Sequence, residues 1–264
     1  MLNHDYESND RPILEIKELR VNFEGVQAVS DFSLLLKKGE LKGLIGPNGA
    51  GKTTIFNLIS GFRKADTGKI LYKGIDITYE TPDKKVKRGI ARTFQKIRIE
   101  QKVKVIDEMK TAFFRHMTYN FVDILLQTNK YRREEAKIEE EAFEILDFLG
   151  IASLSDQVGE DIPHGQQMKV SIARALALKP EILLLDEPTS GLNTGETLEL
   201  MELILEMKEK YDLSILLIEH DMNVIMGICQ DIIVMNEGKI IGEGTPEEIQ
   251  NNQKVIEAYL GGAK

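Results

Sequence analysis

The sequence predicts an α/β fold with a β segment near its start and a helical segment inserted in the middle. Apolar runs of four residues, such as 182–185 and 215–218, are typical of strands buried in a parallel sheet. Another apolar run, at 41–45, leads through a glycine-rich loop into a further apolar run at 55–59, which indicates strand, loop and helix. From about residue 97 to 160 glycine becomes rare, charge rises and helical spacing appears.

The first part of the chain is predicted to form an antiparallel β subdomain. Residues 13–36 alternate apolar and polar side chains, and residues 68–78 show a hairpin pattern around Gly74. The inserted helical segment is indicated by Ala142, Ile145, Leu146 and Leu149, which fall on one helix face. We therefore assign 12–95 and 166–264 to an α/β core and 96–165 to a helical subdomain.

The last third of the chain returns to alternating strands and helices. The pattern predicts strands at 182–185 and 214–218, a helix at 197–210 between them, and a helix at 168–178 before them. Glu237-Gly238 predicts a hairpin turn, and Thr245-Pro246-Glu247-Glu248 predicts a capping box that starts a C-terminal helix.

Composition limits the functional classes. The chain has 264 residues, 42% hydrophobic and 29% charged, as in ordinary globular proteins. Its net charge of −9 argues against a nucleic-acid partner. The single cysteine, Cys229, cannot form an internal disulfide, which fits a reducing compartment, and we expect it to be a small buried apolar residue. No apolar run is long enough to cross a bilayer, and residues 1–10 lack the pattern of a secretory signal.

The glycine-rich loop fits the P-loop pattern G-x-x-x-x-G-K-[ST]. Its residues are Gly46, Pro47, Asn48, Gly49, Ala50, Gly51, Lys52 and Thr53. Such a loop directs backbone N–H groups and a helix N-terminus at nucleotide phosphates. Lys52 is expected to reach the β- and γ-phosphates and the Thr53 hydroxyl to bind Mg²⁺. The alternative is a chance match in a glycine-rich turn.

An acid pair closes the strand at 182–185. Asp186 is in position to hold the Mg²⁺ shell, and Glu187 is in position to activate a water for attack on the γ-phosphorus. An acid at the end of a strand is common. The acid pair therefore indicates a nucleotide-binding site only because a P-loop lies upstream of it.

Further motifs identify a family. They are Gln95 after Ala91-Arg92-Thr93-Phe94, a signature-like Ile162-Pro163-His164-Gly165-Gln166-Gln167, the run Ser190-Gly191-Leu192-Asn193, and His220 after the strand at 214–218. In this order the motifs resemble ABC ATPases over essentially the whole chain. The segments 89–95, 218–222 and 258–261 are similar to the ATP-binding subunits of branched-chain amino acid importers, and urea and amide importers carry similar ATPases.

The resemblance implies a role for each matching position. The residues from Gly46 to Thr54 bind the phosphates of ATP, Phe23 stacks on adenine, and Gln95 contacts the Mg²⁺ ion or the attacking water. Gly165 and Gln166 contact the γ-phosphate of an ATP held by a second ATPase subunit, and His220 meets the γ-phosphate as well. The alternatives are a core phenylalanine at Phe23, a surface amide at Gln95 and a backbone-bonded histidine at His220.

The signature departs from the family's usual Leu-Ser-Gly-Gly-Gln. Pro163 replaces the serine and offers neither a hydroxyl nor an N–H group, so one donor to the γ-phosphate is missing. His164 replaces the first glycine, and we interpret it as an exposed loop residue. Asn193 replaces an aspartate, which puts a contact across the ATPase pair in doubt.

The resemblance implies the ATPase of an importer at the cytoplasmic face of the cell membrane. Its partners are a second ABC ATPase subunit, identical or a sister chain, two transmembrane permease subunits and an extracytoplasmic substrate-binding protein. The alternatives are a soluble ABC ATPase for assembly, as in iron–sulfur cluster assembly, a urea or amide importer, and a lipid exporter.

Overall fold

The computed structural model describes residues 11–23, 26–93 and 102–260. Its strands are β1 (Leu14–Phe23), β2 (Val26–Leu36), β3 (Leu41–Ile45), β4 (Thr67–Tyr72), β5 (Ile75–Asp76), β6 (Ile90–Arg92), β7 (Ile182–Asp186), β8 (Ser214–Ile218), β9 (Asp231–Asn236) and β10 (Lys239–Gly244).

Its helices are α1 (Lys52–Ile59), α2 (Pro82–Arg88), α3 (Val105–Phe113), α4 (Phe121–Leu125), α5 (Asn129–Phe148), α6 (His164–Ala177), α7 (Thr194–Lys210), α8 (Met222–Ile228), α9 (Pro246–Gln250) and α10 (Gln253–Leu260). Short 3-10 turns lie at Phe114–His116, Ala152–Leu154 and Gly159–Asp161.

The chain divides into two compact units. The first, the core unit, is formed by the described residues up to Arg92 together with those from Glu181 onward, and the second, the helical unit, is Thr93–Pro180. The sequence placed these limits after residues 95 and 165. The structure therefore groups α6 with the helical unit, whereas the limit predicted from the sequence puts most of that helix in the core.

The core unit contains two sheets. A four-stranded antiparallel sheet has the order β2-β1-β4-β5, and a six-stranded sheet has the order β10-β9-β3-β8-β7-β6. In the second sheet β9, β3, β8, β7 and β6 are parallel, and β10 pairs with β9 antiparallel. All residues of β3, β7 and β8 are buried, which explains the unbroken apolar runs at 182–185 in β7 and 215–218 in β8. In β3 the buried Lys42 is paired, with its Nζ atom 2.8 Å from Asp231 Oδ2.

The core sits between these two sheets and includes α1. Phe32 from β2, Phe56 from α1 and Leu184 from β7 belong to the same buried cluster. Burial of this apolar surface fixes α1, and so the loop that precedes it, against the end of the parallel sheet.

The helical unit is built on α3, α5 and α6, which contact one another. Ala142, Ile145 and Leu146 of α5 are buried, and so is Leu149 just after it, as the helical spacing predicted. Ion pairs support the packing, for example Lys179 Nζ with Glu141 Oε2 at 2.6 Å.

Several local predictions are confirmed. Glu237 and Gly238 adopt φ angles of 46° and 78° and join β9 to β10 in a tight turn, as expected of the hairpin. Thr245 and Glu248 form the capping box at the start of α9. Cys229 is buried.

Among the described residues no helix is both long and apolar enough to span a membrane.

Two helix starts are corrected. The sequence placed one helix at 168–178, but α6 begins at His164, so Gly165 and Gln166 lie in its first turn rather than in a loop before it. His164 is therefore a helical residue, not the loop residue that we expected. The helix expected to begin at Thr197 begins at Thr194 because Asn193 caps it.

Candidate functional site: a glycine loop and an acid pair at one edge of the parallel sheet

The glycine loop joins the end of β3 to the start of α1. Gly46, Gly49 and Gly51 have φ angles of 149°, 82° and 104°, which L-residues with a side chain rarely adopt. At Gly46 a Cβ atom would lie 2.1 Å from the backbone oxygen of Met235. The loop can therefore follow this path only with glycine at that position.

Lys52, the first residue of α1, lies beneath the loop. Its Nζ atom donates hydrogen bonds to the backbone oxygens of Gly46 at 2.6 Å and Pro47 at 3.1 Å. Burial lowers the pKa of Lys52, and the charges of Glu187 and Asp186 oppose this. The lysine thus lies in the electrostatic field of both acids, as the P-loop interpretation requires. Thr53 follows it and is exposed.

Asp186 ends β7, and its carboxylate is almost fully buried. Its Oδ2 atom accepts a hydrogen bond from Arg92 Nη2 at 2.7 Å, and the side chains are 3% and 6% exposed. Because β3, β8 and β7 are neighbouring parallel strands, their carboxyl ends meet at the edge that carries the glycine loop. The topology therefore brings Asp186 to the same edge as Lys52.

Glu187 adopts a left-handed backbone conformation with φ of 50°, which is uncommon for a residue with a side chain. Its backbone N–H donates to Ile218 O at 2.9 Å. Its Oε1 atom is in hydrogen-bonding contact with His220 Nε2. A carboxylate only accepts, so the imidazole Nε2 donates in this pair. Two residues that the sequence placed on separate strands thus meet side by side.

Glu219 connects the loops that carry these two residues. Its Oε1 atom accepts hydrogen bonds from Thr189 N at 2.8 Å and Thr189 Oγ1 at 2.7 Å, and its Oε2 atom accepts one from His220 N at 3.1 Å. Burial raises the pKa of Glu219. No local sequence signal marks Glu219 as a site residue, because its partner Thr189 lies 30 residues away.

The other residues predicted for the site are Phe23, Gly165, Gln166, Asn193 and Gln95. Phe23 is 39% exposed at the end of β1, so it is not a core residue, and the Arg63 guanidinium carbon lies 3.8 Å from its ring centroid. Gly165 and Gln166 belong to the helical unit. Asn193 caps α7 and exchanges hydrogen bonds with Glu196. Gln95 lies outside the described residues.

The donor set fits a magnesium ion. Asp186 and Thr53 offer a carboxylate and a hydroxyl, the hard oxygen ligands that Mg²⁺ prefers. Within the described part of the chain, no three histidine, cysteine or acidic side chains form a metal-binding group. Mg²⁺ commonly binds to one or two protein ligands together with substrate phosphates, so this site suits it when a nucleotide is present.

Comparisons with known proteins agree with this geometry. Residues 29–190 match the family described as "ABC transporter", and residues 239–264 match the family described as "Branched-chain amino acid ATP-binding cassette transporter".

Two relatives are named high-affinity branched-chain amino acid transport ATP-binding proteins. BraF of Pseudomonas aeruginosa is 38% identical and LivG of Escherichia coli K12 is 39% identical, and each alignment covers 96% of this chain and 99% of the relative.

Solved structures of ATP-binding cassettes are also similar to this chain. The ADP conformation of MJ1267, an ATP-binding cassette of an ABC transporter, superimposes with a TM-score of 0.82 at 31% identity, covering 95% of this chain and 99% of that one. A nucleotide-free cassette superimposes with a TM-score of 0.81 at 32% identity, covering 94% and 98%. With a P-loop, an acid pair and an adjacent histidine on this fold, the chain belongs to the ABC transporter family as an ATP-binding cassette.

Proposed function

We propose that this chain is the ATP-hydrolysing subunit of an ABC importer that takes up branched-chain amino acids. The observation that carries the substrate class is the match of residues 239–264 to a C-terminal family named for branched-chain amino acid cassettes. The names of BraF and LivG support it. The lipopolysaccharide export protein LptB of Haemophilus influenzae is also similar, but its lower identity of 31% favours import over export.

The backbone of the glycine loop and Lys52 bind the triphosphate in this proposal. The loop N–H groups and the N-terminus of α1 favour the negative charge, and Lys52 exchanges its two loop carbonyls for phosphate oxygens. Phe23 stacks on adenine, which requires Arg63 to share or leave the ring face that it now covers.

Asp186, Thr53 and Gln95 would hold the Mg²⁺ shell. The bound ion would supply positive charge that offsets the negative charge of the triphosphate. Glu187 orients and deprotonates the attacking water, and His220 contacts the γ-phosphate and, through its Nε2 atom, holds the Glu187 carboxylate in place. Glu219 holds together the loops that carry Glu187 and His220, because it accepts hydrogen bonds from Thr189 N and from His220 N.

Two cassettes act as a pair in this scheme. Gly165 and Gln166 of one subunit contact the γ-phosphate held by the other subunit, although Pro163 removes one donor. We propose that the helical unit is the signature subdomain and transmits nucleotide state to the permeases. The exposed apolar side chains of α4, with Phe121 at 76% and Leu125 at 71% exposure, are typical of a surface that a partner protein covers.

We propose that the chain lies on the cytoplasmic face of the cell membrane, where two permease subunits hold it. An extracytoplasmic substrate-binding protein delivers the amino acid to the permeases. Deleting the gene from its host and measuring uptake of labelled leucine, isoleucine and valine tests this. We expect uptake to be lost, and restored by the wild-type gene but not by Glu187→Gln. Unchanged uptake of all three amino acids, together with lost uptake of urea or amides, would contradict the substrate assignment.

A further inference from the structure

Arg92, the last residue of β6, forms a buried ion pair with Asp186. The guanidinium and the carboxylate belong to strands that pair in parallel, Arg92 opposite Leu184. Their atoms Nη2 and Oδ2 are 2.7 Å apart, and both side chains are at least nine-tenths buried. At that depth water screens the charges weakly, so the pair interacts strongly.

Other contacts hold the guanidinium in place. Its Nη1 atom donates to Asn57 Oδ1 at 2.7 Å and to Ser60 Oγ at 3.2 Å, both near the end of α1. Its central carbon lies 5.4 Å from the Phe56 ring centroid. Arginine does not lose its proton in proteins. The positive charge therefore stays beside Asp186 whether or not a metal ion is bound.

We propose that Arg92 is the resident counter-ion of Asp186, which balances this carboxylate in the metal-free protein and lowers the affinity of the site for Mg²⁺. The inference rests on the proposed function, because it takes Asp186 as part of the Mg²⁺ shell. Arg92 acts through Asp186 and is a positioning residue, not a catalytic one.

The chemistry of the carboxylate allows both partners at once. A carboxylate has two oxygens and about four lone-pair sites, so an arginine on Oδ2 leaves room for the metal shell. The nearby positive charge nevertheless repels a divalent cation. Without Arg92, Asp186 would be a buried carboxylate without this counter-charge, and Mg²⁺ would bind more tightly in order to neutralise it.

The test measures how much Mg²⁺ is needed to bind a fluorescent ADP analogue held at a fixed, subsaturating concentration. We expect Arg92→Met to shift the Mg²⁺ midpoint about tenfold lower than in the wild type. Arg92→Lys keeps the charge and should stay within about threefold of the wild type. Arg88→Met is the matched control, since Arg88 forms a two-hydrogen-bond pair with Glu80 in the same unit and should leave the midpoint unchanged.

Unfolding in EDTA, without nucleotide, gives a second readout. Arg92→Met should lower Tm by about 10 °C, because it removes a charged hydrogen-bonding partner of a buried carboxylate. Adding Asp186→Asn should restore most of that loss. If Arg92→Met does not fold, Arg92→Gln still donates to Asp186 but lacks the charge, and its Mg²⁺ midpoint should also fall.

A midpoint that is unchanged or higher in the neutral variants overturns the inference while the proposed function stands. If the wild type itself binds no adenine nucleotide at any Mg²⁺ concentration, the proposed function fails and this inference fails with it.

Discussion

At some positions of this cassette, the backbone conformation and the neighbouring backbone atoms determine which residue type is allowed. At Gly46 the positive φ angle and the Met235 oxygen both exclude a side chain. Gly39 also has a positive φ angle, 70°, but a Cβ there would meet no atom within 4 Å. A comparison of alanine substitutions at these two glycines therefore distinguishes the energetic cost of backbone strain from the cost of steric overlap.

We predict that Gly46→Ala lowers the free energy of unfolding by more than about 2 kcal/mol, since strand β9 or the loop must move. Gly39→Ala should cost only about 1 kcal/mol, from backbone strain alone. Urea unfolding of both variants measures the difference. Equal losses would show that the contact with Met235 does not constrain the loop.

Glu187→Gln tests the base at the residue scale. The amide keeps nearly the same shape beside His220 but cannot accept a proton, so we predict a loss of about 10²- to 10⁴-fold in phosphate release with nucleotide binding retained. The assay uses the cassette assembled with its permeases. Glu181→Gln is the matched control, because Glu181 lies just before the other end of β7 and pairs with Lys73. Undiminished turnover in Glu187→Gln would refute the role of Glu187.

At the scale of elements, helix α2 carries a buried lysine that contacts the end of α1. Lys85 is fully buried and donates from Nζ to Leu58 O at 2.8 Å. Burial lowers the pKa of Lys85 to about 8. Between about pH 8 and 10.5, the unfolded chain therefore binds a proton at this position that the folded chain does not.

We predict that the stability of the wild type relative to Lys85→Met rises with pH over that interval, by about 3 kcal/mol in total. Below pH 8 Lys85 is protonated in both the folded and the unfolded state. The difference in unfolding free energy between the wild type and Lys85→Met therefore becomes constant. Urea unfolding of both proteins at several pH values measures it. A difference that does not change between pH 8 and 10 would contradict the lowered pKa of Lys85.

The start of α7 gives a second prediction for an element. Asn193 Oδ1 accepts from Glu196 N at 3.0 Å, and Glu196 Oε2 accepts from Asn193 N at 2.9 Å. Asn193→Ala should cost about 1 kcal/mol in unfolding free energy, and Asn193→Asp, which keeps the cap, should cost far less. Equal losses in the two variants would show that the cap contributes nothing.

Most elements could be predicted from local pattern, and the exceptions have physical reasons. Thr245 carries a polar cap, so the start of α9 was visible in the sequence. Pro163 precedes α6 and offers no side-chain hydrogen bond, so nothing local distinguished the first turn of α6 from a loop. Strands β7 and β8 were recognisable because their complete burial leaves unbroken apolar runs at 182–185 and 215–218.

At the scale of the whole molecule, motif order predicted the family, and the comparisons confirmed it. The contacts between motifs were not predictable. The pairs Arg92–Asp186 and Glu219–Thr189 join residues 94 and 30 positions apart. No local spacing indicates them, because they depend on which strands become neighbours in the sheet. The roles of the individual site residues, Gly165, Gln166 and Gln95 included, remain predictions.

We expect the glycine loop and the acid pair to bind ATP together with Mg²⁺. The most direct measurement is calorimetric titration of the purified chain with ATP in the presence and absence of Mg²⁺, for the wild type and for Lys52→Ala. We predict saturable binding of one nucleotide per wild-type chain, strengthened by Mg²⁺ and lost in the variant. No detectable binding by a folded wild type, or binding that Lys52→Ala leaves intact, would contradict the account.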